Sequence, residues 1–123
     1  MIETLLAETA RAAPNECCGL LFGAENRIET ALPARNVHPS PSTHFEIDAV
    51  ALIAAHKAER EGGPQVVGYY HSHSAGPAEP SVTDAAQAAC DGRVWAIVAG
   101  HQIALWRDSP GGFEPLSTRV VDG

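Results

Sequence analysis

Nowhere in the 123 residues is there an apolar run near the roughly 20 residues that a membrane-spanning helix needs, and nowhere do Lys and Arg cluster. The first absence argues against a spanning segment. The second, with a formal charge of -7 from 8 basic and 15 acidic residues, disfavours binding to nucleic acid or to an anionic membrane surface. Cysteine is scarce as well. Cys17, Cys18 and Cys90 are an odd number with two of them adjacent, which is no disulfide framework and fits a reducing compartment. Nor do Cys17 and Cys18 read as a thiol centre: on a strand one of the two must point inward, where a free cysteine packs as a small apolar residue. The opening MIETLLAETARAAP carries an acid at position 3 and an interrupted apolar pattern, unlike a signal peptide, so the cytoplasm is the expected location. Internal repeats and low-complexity tracts are missing too.

What remains is the composition of a soluble globular chain, and a mass of 12.9 kDa predicts a single domain over residues 1–123 with a sizeable core. Ile2, Leu5, Leu6 and Ala13 lie along one helical stripe whose polar member is Thr9, and Pro14 closes that helix. Cys17 to Gly23 and Arg27 to Leu32 read as strands of a hairpin around the spacer Ala24-Glu25-Asn26, with Glu16 at its entry. A Pro-rich loop is expected from Pro33 to Thr43, then a brief strand from Thr43 to Ile47. Asp48 is a candidate N-cap for a helix to about Arg60 with Val50, Ile53, Ala54 and the stem of Lys57 on its core side, stopped by Gly62-Gly63-Pro64. Arg93 to Ala99 and Gln102 to Arg107 read as strands joined at Gly100-His101. After a turn at Ser109-Pro110-Gly111-Gly112, Phe113 to Val121 is the last strand. A mixed sheet with helices packed on it is an α/β or α+β arrangement.

The stretch Tyr69 to Asp84, YYHSHSAGPAEPSVTD, concentrates the chemistry. It leaves the β-prone run Val66 to Tyr70, so His71 and His73, two apart in extended chain, project to the same side. Ser81-Val82-Thr83-Asp84 reads as a helix cap followed three residues later by an acid, ahead of Ala85 to Ala89, with Asp91-Gly92 ending the helix. Two imidazoles and one carboxylate suit a catalytic zinc with an open fourth position, whereas structural zinc is usually closed by four ligands, mostly Cys. Each half of the stretch has a plainer reading, the histidines as ordinary surface or core residues and Ser81-x-x-Asp84 as a cap alone. The combination is far more specific.

At these residues the sequence resembles the JAMM (MPN-type) zinc isopeptidases, whose pattern is a distant Glu, then His-x-His, a loop, and Ser-x-x-Asp. Glu16 in PNECCGLLFG stands where the first strand and its acid belong, and Ser74 replaces the proline usual after the second His. The resemblance covers most of the chain and is to a minimal, stand-alone prokaryotic member. It implies a curved, mixed, mostly antiparallel sheet flanked by helices, the cytidine-deaminase-like JAMM/MPN core. It also implies Zn²⁺ held by His71, His73 and Asp84, with Glu16 as acid/base and Ser81 as oxyanion donor. As a cap Ser81 would be worth about 1 kcal/mol, and one hydroxyl is expected not to serve both roles fully.

The activity so implied is hydrolysis of a peptide or isopeptide bond after the C-terminal glycine of a small ubiquitin-like or sulfur-carrier protein, whose tail would add as an extended strand. A non-catalytic MPN-type binding scaffold is the alternative, and retention of Glu16, His71, His73, Ser81 and Asp84 argues against it. A zinc deaminase is weaker still, because the Pro-Cys-x-x-Cys ligand pair is missing. His38, His44, His56, His101 and Glu79 read as solvent-facing or locally bonded, Trp95 and Trp106 as packing residues, and one of Tyr69 and Tyr70 as core.

Overall fold

The computed structural model of the protein describes residues 2–24 and 27–116. In chain order the elements are α1 (Ile2–Ala12), β1 (Cys18–Ala24), β2 (Arg27–Ala34), α2 (Ala49–Arg60), β3 (Gln65–His73), α3 (Val82–Gln87), β4 (Val94–Ala99), β5 (Gln102–Ser109) and β6 (Gly112–Pro115). The strands form one six-stranded sheet in the order β2-β1-β3-β4-β5-β6. Among these strands only β3 and β4 run parallel, joined through α3, and the other four pairings are antiparallel. This is the mixed sheet with helices expected from the residues, and its mostly antiparallel pairing is what the family resemblance implies. Among the described residues no helix is long and apolar enough to cross a membrane.

Period-two alternation sends successive strand residues to opposite faces of the sheet. On one face Cys17, Leu21, Tyr70, Ala96, Val98 and Leu105 pack with Leu5 of α1. On the other, Leu20 and Val66 pack with Ala55 of α2, and Cys18 packs with Phe45 and Trp95. Both faces are covered, so Cys17 and Cys18 are both buried although they point opposite ways. Tyr70 is the tyrosine that enters the core, its ring lying across Gly19, where a Cβ would run into that ring and into the Leu32 carbonyl.

Several boundaries differ from expectation. β2 runs on through Pro33 to Ala34 because it is an edge strand, where proline's missing N–H leaves no ladder bond broken. The expected strand Thr43–Ile47 reduces to a single bridge, Ile47 with Asn36, because Asn36 side-chain bonds to His44 and Glu46 replace ladder bonds there. α2 is capped by Asp48 but turned the other way: Val50 is 75% and Ile53 66% exposed, and Leu52 and Ala55 face the sheet. This Ala-rich helix carries apolar residues at helical spacing on two faces, so periodicity alone does not choose between them. α3 ends at Gln87, short of Ala89, because Cys90 adopts a left-handed φ of 55° and its N–H is taken by Asp108. β6 is described to Pro115, and the expected continuation to Val121, like the spacer residues Glu25 and Asn26, lies outside the described residues.

Candidate metal centre

β3 runs through the interior of the sheet and delivers the two histidines. With Tyr70 and Ser72 on the α1 face, His71 and His73 fall on the opposite face. His71 is 1% exposed, with the Phe45 ring stacked on it at 4.2 Å and Trp95 edge-on at 5.5 Å, so its plane is set from two sides. The chain then loops back to α3, and a reciprocal capping box fixes the helix start. Asp84 N–H donates to Ser81 Oγ at 3.0 Å, and Ser81 N–H donates to Asp84 Oδ2 at 3.0 Å. Asp84 is thereby turned back over the first turn and buried beside the histidines. The return loop is pinned by Trp106 Nε1–H to the Ala78 carbonyl at 3.1 Å and by Ser74 Oγ–H to the Ser42 carbonyl at 2.7 Å.

Three donor atoms meet as a nearly equilateral triangle. His71 Nε2 lies 3.2 Å from His73 Nε2 and 3.1 Å from Asp84 Oδ2, and His73 Nε2 lies 3.0 Å from the same oxygen. His73 Nδ1 is 2.9 Å from the Pro77 carbonyl, which can only accept, so Nδ1 carries a proton and the neutral ring turns its Nε2 lone pair on Asp84. A lone pair facing a carboxylate oxygen at that distance is repulsive unless a proton or a cation lies between them. The size is also compatible: tetrahedral coordination at zinc–nitrogen distances of about 2.0–2.1 Å needs donor–donor edges of about 3.3–3.4 Å, a few tenths of an ångström wider than the triangle found. The donor set and its spacing therefore fit a zinc ion.

The protonation tendencies differ between the two imidazoles. Burial pushes the His71 pKa down, favouring the neutral form a metal requires. In the metal-free chain the Asp84 hydrogen bond pushes that of His73 up, so that a proton on Nε2 takes the place between the two groups that a cation would fill. Burial opposes ionisation of Asp84, yet hydrogen bonds from His71, His73 and the Ser81 N–H outweigh it and hold the carboxyl well below the usual range.

Glu16 reaches the same face through strand register. β1 and β3 pair Cys18 with His71, and counting outward sets Glu16 opposite His73. The intervening pair is locked by Cys17 N–H to Ser72 Oγ at 2.8 Å and Ser72 N–H to the Cys17 carbonyl at 3.0 Å. Glu16 is 7% exposed, and burial pushes its carboxyl up to about 7, with His73 acting to lower it and Asp84 to raise it. Ser81 caps α3 through its oxygen alone, and its O–H proton is not engaged among the described residues. A hydroxyl both accepts and donates, so capping and donation to a substrate are compatible after all.

Glu16, His71, His73, Ser81 and Asp84 are thus brought to one end of the sheet, while the other histidines lie elsewhere. His38 and His44 stack on each other at 4.6 Å, His56 Nε2 contacts the Tyr69 hydroxyl at 3.2 Å, and His101 and Glu79 are exposed. Phe45 and Asn36 have no part in the sequence reading. Their contacts with the site cross tens of residues, and no local spacing marks them.

Residues 1–109 match the family of prokaryotic homologs of the JAB domain. The chain is 36% identical over 115 residues to a probable TtuB-protein conjugate cleaving protease of Thermus thermophilus, covering 85% of this chain and 77% of that one. It is 30% identical over 125 residues to the CysO-cysteine peptidase of Mycobacterium tuberculosis, covering 100% and 80%. Among solved structures, a Desulfitobacterium hafniense protein superposes with a TM-score of 0.80 at 30% identity, over 94% of this chain and 84% of that one. With its sheet, its donor triangle and the match over residues 1–109, the chain belongs to the family of prokaryotic homologs of the JAB domain, within the JAMM/MPN proteins.

Proposed function

We propose that this protein is a zinc-dependent peptidase that hydrolyses the peptide or isopeptide bond following the C-terminal glycine of a small ubiquitin-like or sulfur-carrier protein, acting in the cytoplasm. The observation that carries the reading is the triangle of His71, His73 and Asp84 donor atoms with the Glu16 carboxyl across from it. The two relatives, a conjugate-cleaving protease and a CysO-cysteine peptidase by name, support the substrate class.

When bound, zinc supplies Lewis-acid polarisation of a carbonyl and acidification of water. The chain's own residues supply the rest. His71, His73 and Asp84 hold the ion, with Phe45, Trp95 and the capping box fixing their orientations. Glu16, a buried carboxyl on the same face as the donor triangle, takes a proton from the attacking water and returns it to the leaving nitrogen, a contribution of roughly 10²–10⁴-fold. Ser81 turns its free O–H toward the developing oxyanion. The substrate tail lies extended as it enters.

The test has two parts. Purified protein is expected to hold about one zinc per chain, and His73→Ala to lose it. Zinc-loaded protein incubated with carrier proteins bearing C-terminal extensions is expected to release each extension at the glycine, read by mass spectrometry. Extensions left intact by zinc-loaded protein would refute the enzyme reading and favour a binding scaffold.

A further inference from the structure

We propose that Asn36 is a positioning residue for this reaction, one side chain that sets where Glu16 stands relative to His71. The inference rests on the peptidase reading above and adds to it a residue outside the metal and proton-transfer groups.

The Asn36 carboxamide uses its full hydrogen-bonding capacity. Its Nδ2 donates to the Glu16 carbonyl at 2.9 Å and to the His44 carbonyl at 3.0 Å, and its Oδ1 accepts from the N–H groups of His38 and Glu46, both at 3.1 Å. Two consequences follow from where those four partners lie. His44 and Glu46 flank Phe45, whose ring is stacked on His71 at 4.2 Å, so Asn36 frames the residue that sets the imidazole plane. Glu16, on its side, has both backbone groups held from the same region: its N–H by the Pro41 carbonyl at 2.7 Å and its carbonyl by Asn36. Its carboxylate has no hydrogen bond among the described residues, so the backbone is what aims it. The bridge between Asn36 and Ile47 anchors the hub itself.

Asn36 therefore ties the start of β1 to the 38–46 segment. The zinc-holding residues stand apart from it, on β3 and α3. Removing the carboxamide keeps the strand and the capping box that place the three donor atoms and frees the Glu16 carbonyl, and misplacement by about 1 Å can cost roughly 10²-fold in rate.

A double-mutant cycle tests the assignment. Asn36→Ala should lower kcat about 10–100-fold, with KM within about 3-fold and zinc per chain unchanged. In a Glu16→Gln background the same change should lower kcat less than about 3-fold, because the group it positions no longer transfers protons. Should Asn36→Ala fail to fold, Asn36→Ser, which keeps one donor and one acceptor, is carried through the same cycle with the same expectation. Equal losses in the two backgrounds, or a loss confined to thermal stability, would overturn the role of Asn36 while leaving the peptidase reading intact. Absence of turnover by the wild-type chain would instead overturn that reading, and this proposal with it.

Discussion

Replacing Glu16 by glutamine is predicted to stabilise the metal-free protein, and to do so only at the alkaline end. Glu16 is 7% exposed and its carboxyl is pushed by burial from an ordinary 4.5 up to about 7. Between those two values the folded chain keeps a proton that the unfolded chain has released. Folding stability due to this group therefore falls as pH rises through the window from about 4.5 to 7, and is flat outside it. At about 1.36 kcal/mol per pH unit the full cost above pH 7 is at most about 3 kcal/mol, and water reaching the cleft reduces it, so about 1–3 kcal/mol is expected. A glutamine side chain has no such proton to lose. Urea unfolding of both proteins in chelator, followed by tryptophan fluorescence from about pH 4.5 to about pH 8, should show the two nearly equal at the acid end. Glu16→Gln should be ahead by that amount at the alkaline end. A difference that does not change with pH, or one that shrinks as pH rises, would show that the carboxyl is solvated and that the burial argument fails. The same variant should hydrolyse roughly 10²–10⁴-fold more slowly while keeping zinc, which separates the proton-handling role from a structural one.

Two further outcomes follow from local geometry. Gly19→Ala forces a methyl group into the Leu32 carbonyl and the Tyr70 ring at the centre of the sheet, and chemical denaturation should report a loss of more than about 2 kcal/mol. Ser81→Ala removes the oxygen that caps Asp84, costing about 1 kcal/mol in thermal unfolding, and also removes the free O–H. The second loss should lower kcat by roughly 10²–10³ in zinc-loaded enzyme, and a kcat within about 3-fold of wild type would reduce Ser81 to a cap.

How much of this was legible beforehand differs residue by residue. His71 and His73 share a side because the strand period is two, and Ser81 and Asp84 meet because a capping box spans three residues; both are readable from spacing. The face of α2 was not readable, since Val50 and Ile53 are spaced as well as Leu52 and Ala55, and only the presence of the sheet selects the second pair. The strand expected at Thr43–Ile47 failed for a related reason. A segment rich in β-formers still needs ladder partners, and here Asn36 supplies side-chain bonds instead.

The sequence by itself determined the order of helices and strands apart from Thr43–Ile47, the paired imidazoles, the capped carboxylate and the overall negative charge, because each depends on neighbours within one turn or one strand or on composition alone. The tertiary structure alone decided that Glu16 stands across from His73, that Phe45 lies on His71, and that Asn36 ties them together. The lock between Cys17 and Ser72 spans 55 residues. Strand register and burial, which bring such distant groups into contact and shift their proton affinities, exist only once the whole sheet has formed.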